Sequence, residues 1–236
     1  NAENFNQDIS SWDVSSVTRM DRMFTSTTFS QDLSSWNVSN VTRMDYMFQN
    51  SDFNGDISGW DVSNVTDMED MFSSTDSFNQ DISEWNVSNV TDFLYMFKNA
   101  LSFNQDISSW DVSSVTRFGS MFQGAESFNQ DLSDWDISSA TNLNNMFLDA
   151  SALSEENKCS IDAAFSSNSN WQYSWTDDYG CYGSVVINEI HYNPSSSQGS
   201  DFDYEFIELH NPGNLKVDLS GYYFSQGFEY SFPDDA

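Results

Sequence analysis

Six aspartates, Asp8, Asp32, Asp56, Asp81, Asp106 and Asp131, recur every 24 or 25 residues, each fourth in a segment of the form FNQDISSWDV. Stacked in register about 5 Å apart, such carboxylates repel by roughly 3 kcal/mol per pair at an effective dielectric near 20. Two devices can offset this. A turn can supply backbone N–H donors, and a carboxylate that accepts them stays ionised at low cost. Calcium, which takes about six to eight oxygens, can bridge neighbours. Calcium loops cluster acids at alternate positions within one turn, whereas each repeat here has one constant acid, so the column reads first as a hydrogen-bonded fastener. No cofactor is required, and calcium remains the cation the column could hold.

No catalytic set emerges. The two histidines, His191 and His210, could be drawn with Glu189 and Glu208 as a metal site, but alternation along strands places such groups on a polar face anyway. Neither cysteine has a histidine neighbour to activate it, and no glycine-rich phosphate loop is present. The chain reads as not an enzyme. Seven basic residues against thirty-seven acidic ones, net −30, exclude nucleic acid as a partner, since affinity for its backbone comes from basic side chains. Anionic lipid is disfavoured likewise, and no apolar run is long enough for membrane insertion. All four arginines, Arg19, Arg22, Arg43 and Arg117, share one strip with Tyr46 and Tyr95, among Asp21, Asp45, Asp67, Glu69, Asp70 and Asp92. This strip varies from repeat to repeat, as a partner-binding surface should. An ordinary solvated face is the alternative.

The elements that must position these residues are repeats. Tryptophans fall at 12, 36, 60, 85, 110 and 135, and Met-Phe pairs from Met23-Phe24 to Met146-Phe147 keep the same steps. A unit this short cannot bury its own apolar side and must pack on its neighbours. In VTRMDRMF, Val17, Met20, Met23 and Phe24 lie on one face of a short helix, with Ser15 or Thr18 as cap. Phe5, Ile9, Trp12 and Val14 suit two short extended pieces, which predict a parallel sheet. The fold expected over 1–150 is therefore an α/β repeat solenoid, leucine-rich-repeat-like, of six coils with parallel strands plus short helices. Asparagines (6, 54, 79, 104, 129) and serines (10, 34, 58, 83, 108, 133) form further columns that read as hydrogen-bonded ladders.

The pattern F-x-x-D-[IL]-S-x-W-[DN]-[VI]-S-x-[VA]-T-x-x-x-x-M-F resembles the BspA-like repeat of bacterial surface proteins. The resemblance implies a right-handed solenoid on a secreted or surface-displayed protein, with no catalytic motif to carry over. Residues 151–183 abandon the period and read as a C-terminal cap bearing Phe165, Trp171, Tyr173 and Trp175; a carbohydrate patch on those aromatics is the alternative. Cys159 and Cys181 read as one disulfide, worth roughly 3 kcal/mol, or else as two buried thiols. Over 184–236, VVINEIHYNP followed by DYEFIELHNPG resembles the opening of a lamin-tail domain, which implies part of an all-β Ig-like sandwich. A sandwich of this kind needs about 100 residues, so the chain reads as cut at both ends.

These readings lead to a non-catalytic bacterial protein, secreted or at the cell surface, that mediates adhesion or protein recognition. The alternative is a structural subunit of an extracellular filament or surface layer. Partners are then a protein, a surface glycan, or copies of itself. The threonine column (18, 42, 66, 91, 116, 141) resembles that of ice-binding solenoids, a third reading. Asn-X-Ser/Thr sites at Asn37, Asn40, Asn64, Asn86 and Asn89 are expected to be bare.

Overall fold

The computed structural model describes residues 3–175, Cys181, and the strands 186–191, 206–210, 223–224 and 230–231. It divides into two compact units, Asn1–Ser174 and Trp175–Ala236.

Each repeat of the first unit is built from turns. The N–H of every repeat tryptophan returns to the carbonyl three residues back, as Trp36 does to Leu33, and a second turn closes five residues on, as Val41 does to Val38. The expected helix and strands do not form, which corrects the α/β solenoid reading. An α-helix sends each N–H to the carbonyl four residues back. Here the N–H groups of Met20, Arg22, Phe24 and Ser26 donate instead to Arg43, Asp45, Met47 and Gln49 of the next repeat, at 2.8–2.9 Å. The same four bonds recur at all five junctions, through to Phe118, Ser120, Phe122 and Gly124 bonding Asn142, Asn144, Met146 and Leu148. Their price is local strain: Arg22, Tyr46, Asp70, Tyr95, Ser120 and Asn145 all have φ between 54° and 60°, a region costly for residues with a Cβ. The parallel sheet reduces to isolated one-residue bridges, Arg19 to Arg43 to Asp67 to Asp92 to Arg117 to Asn142. Turns on both sides of each bridge divert the chain before a ladder can extend.

Stacking buries the apolar positions of the inner repeats. Phe24, Phe48, Phe72, Phe97, Phe122 and Phe147 form a column with ring centroids 5.4–5.8 Å apart. Each of the first five meets the Phe that opens the next repeat at 3.8–4.1 Å. Such pairs contribute about 0.5–1.5 kcal/mol each beyond burial. Neighbours supply that burial: Trp12, in the first repeat, is 54% exposed, while Trp36 is 3%.

Among the described residues one α-helix forms, α1 (Glu155–Phe165), and it closes the sixth repeat. Ser154 caps it by accepting the N–H of Asn157, and Glu155 and Glu156 lie in its first turn, where the helix dipole favours negative charge. Cys159, Ile161 and Phe165 are its buried apolar side. The cap continues the array's own bonds with different groups. Tyr173 Oη accepts the Phe147 N–H at 2.8 Å, the role a next-repeat carbonyl plays elsewhere. Ser154 N–H and Asn157 Nδ2 both reach Asn129 Oδ1 at 2.9 Å, as Asn129 N–H and Gln130 Nε2 reach Asn104 Oδ1.

In the second unit, β1 (Val186–His191) pairs antiparallel with β2 (Phe206–His210), with an irregularity between Ile187 and Glu189. β3 (Tyr223–Phe224) pairs with β4 (Tyr230–Ser231). These are separate two-stranded sheets. They replace the expected Ig-like sandwich, which requires two larger sheets packed face to face, as the correction to that part of the fold reading.

Candidate functional site

Every aspartate of the column accepts the N–H of the serine two residues on: Asp8 from Ser10, Asp32 from Ser34, Asp56 from Ser58, Asp81 from Ser83, Asp106 from Ser108 and Asp131 from Ser133, at 2.8–3.0 Å. These bonds stay within one repeat and close its first turn. That backbone donor holds Asp8, Asp56, Asp81 and Asp106 below the usual carboxylate range. A second column does the same at the second turn and was not singled out from sequence. Asp13, Asn37, Asp61, Asn86, Asp111 and Asp136 accept from Ser15, Ser39, Ser63, Ser88, Ser113 and Ser138. The signal was available: a residue alternating only between Asp and Asn, two before a constant Ser, is the signature of a side-chain-closed turn.

Coil-to-coil fastening falls to other side chains. Each repeat tryptophan from Trp36 to Trp135 donates its indole N–H to the preceding repeat's Ile or Leu carbonyl at 3.1 Å. In the threonine column, Thr42, Thr66, Thr91, Thr116 and Thr141 each send both N–H and hydroxyl to the carbonyl of the column's preceding threonine.

The variable strip lies on the four-bond ladder, which sets its side chains one repeat apart. Arg43 Nε meets Asp45 at 2.9 Å and its Nη2 meets Asp67 at 2.9 Å. Arg117 Nη1 bonds Asp92 and lies 3.6 Å from Glu69, two repeats away. Tyr46 donates its hydroxyl to Glu69 at 2.5 Å, and the Arg22 guanidinium sits 3.8 Å from the Tyr46 ring centroid. Lys98 lies 5.0 Å from the centroid of Tyr95, and Arg19 pairs with Asp21 at 2.8 Å. The six partner-binding candidates thus share one strip, but they do not converge on one pocket.

Asp67, Glu69 and Asp92 bring carboxylate oxygens within 4.8 Å of one another, the one such group among the described residues. Burial pushes the Asp67 and Asp92 carboxyls up, against backbone bonds and Arg43 or Arg117 pulling them down. The donor set would suit a hard cation, yet Arg43 and Arg117 already sit against it and act as its counterions. Asp70 is likewise raised by burial.

His191 and His210 fall at opposite ends of the β1–β2 ladder, where His191 pairs with Phe206 and Val186 with His210, while Glu189 faces Glu208. Cys159 and Cys181 are both disulfide-bonded, and they are the chain's two cysteines. No helix among the described residues is long and apolar enough to cross a membrane.

Stacked turns with constant fasteners and a variable strip define a repeat protein. Residues 1–62 and 49–160 match the family described as Mycoplasma protein of unknown function, DUF285, and the chain belongs to it. Residues 181–236 match the Lamin Tail Domain. No curated protein and no solved structure matches the chain.

Proposed function

We propose that the repeat array is a non-catalytic recognition module of a secreted or surface-displayed bacterial protein, reading a protein partner through its variable strip. One observation carries this. The positions that stack are constant, whereas the bridge position runs Arg19, Arg43, Asp67, Asp92, Arg117, Asn142. Packing does not demand that variety, because the ladder uses backbone groups alone. Partly exposed Tyr46 and Tyr95 under Arg22 and Lys98 supply the amphipathic contacts enriched at interfaces. Bonded cysteines support an oxidising compartment, and the family description supports a bacterial source.

The test is binding of the whole chain to a panel of immobilised secreted and cell-surface proteins, compared with an Arg22→Glu, Lys98→Glu variant. Binding that falls with salt and is lost in the variant supports the strip. Equal capture by the variant would sink it.

A further inference from the structure

Where the sixth repeat meets its cap, one corner is left open. A cavity of about 460 Å³ lies there, lined by Asp136, Ser138, Ser139, Thr141, Asn168 and Asn170, with Trp135, Ile137 and small residues completing the wall. Two of its lining residues, Ser138 and Thr141, have backbone carbonyls without a donor among the described residues. The carbonyls of Thr18, Thr42, Thr66, Thr91 and Thr116 each receive the next threonine's N–H and hydroxyl. The Thr141 carbonyl has no such donor among the described residues. The carbonyls of Ser15, Ser39 and Ser63 receive asparagine amides from the next repeat; from the fifth repeat on, serine replaces that asparagine, and the carbonyls of Ser88, Ser113 and Ser138 have no such donor among the described residues. The cap instead spends Asn168 Nδ2 on Ile137 and Ala140, at 2.8 and 3.1 Å, and Asn170 Nδ2 on Ala140 at 3.2 Å.

We propose that this corner is a binding site for a neutral saccharide, independent of the recognition strip. The lining contains no Lys, Arg or His, so nothing there attracts an anion. Asp136 is committed to Ser138, leaving no open acid cluster for a cation. The walls are mostly hydroxyls, amides and carbonyls, which a lipid would leave unsatisfied. An added peptide strand alternates donors and acceptors along its edge, but the two open backbone groups are both acceptors. A sugar's hydroxyls can donate to both carbonyls while accepting from serine hydroxyls, and the volume lies within the usual range for small-molecule sites.

Saturation-transfer NMR on the whole chain tests this with maltose, cellobiose, lactose and N,N′-diacetylchitobiose at millimolar concentration. At least one sugar should take up saturation. Ser139→Tyr, at an exposed position, should abolish the signal by filling the cavity, with the circular dichroism spectrum unchanged. Thr141→Val removes a hydroxyl oxygen from the wall and should weaken binding roughly fivefold, the worth of one neutral hydrogen bond. No transfer to any of the four sugars would overturn the proposal. So would transfer that survives Ser139→Tyr.

Discussion

The indole N–H of Trp85 donates to the carbonyl of Ile57 in the preceding repeat across 3.1 Å, while Trp85 itself is 3% exposed. Phenylalanine would fill most of the space and leave that contact unmade. Trp85→Phe is expected to lower unfolding free energy by about 1–3 kcal/mol in urea titration. Trp12→Phe, at an exposed position, should change it by under about 0.5 kcal/mol.

Arg117 ties Asp92 and Glu69 together across two junctions. Arg117→Met should leave two crowded carboxylates without their counterion. With the Arg117 side chain 41% exposed, the loss is expected at about 1–2 kcal/mol, below that for a fully buried pair. Asp92→Asn in the same background should recover part of it, as measured by a double-mutant cycle.

Acid should unfold the array. Asp8, Asp56, Asp81 and Asp106 have depressed folded-state values because they accept serine N–H bonds. Their contribution is present above the unfolded value, near 3.9, and is lost as pH falls through the folded values. Asp67, Asp70 and Asp92 run the other way, since burial raises them. Their contribution is full below the unfolded value and fades as pH rises through the raised ones. The thermal midpoint should therefore fall below about pH 4. Asp81→Asn keeps the turn acceptor but does not titrate there, so it should shrink the acid-side slope, whereas Asp92→Asn should flatten the decline on the other side.

Net charge of −30 predicts a midpoint that rises with ionic strength, since salt screens repulsion beyond about 10 Å at 0.1 M. Calcium and magnesium at equal ionic strength should act alike on the repeats. An excess for calcium that disappears in Asp81→Asn would instead assign the aspartate column to metal bridging.

Much of this molecule was legible in one dimension because a stack repeats its environment. Constant Phe, Met and Trp positions mark the core, since each meets its own copy one repeat away, and the match of residues 1–160 to one family follows from that regularity. The backbone was not legible. Val17, Met20, Met23 and Phe24 have helical spacing, but a run of eight residues gains little from helix formation alone, because nucleation is costly. The destination of the N–H groups settles the conformation. An adjacent repeat offers Met20, Arg22, Phe24 and Ser26 a carbonyl each, and taking all four requires left-handed geometry at Arg22 and Ser26, which no propensity favours.

The sequence by itself determined the period, the buried columns and the acidic surface, all properties of residue type at a repeated place. The tertiary structure alone decided that the strip is a ladder between repeats, that α1 forms where the next repeat is missing, and that Arg117 reaches Glu69 two repeats back. Those outcomes depend on which chain segment stands opposite, and 24- or 25-residue separations bring together groups that no local pattern can pair.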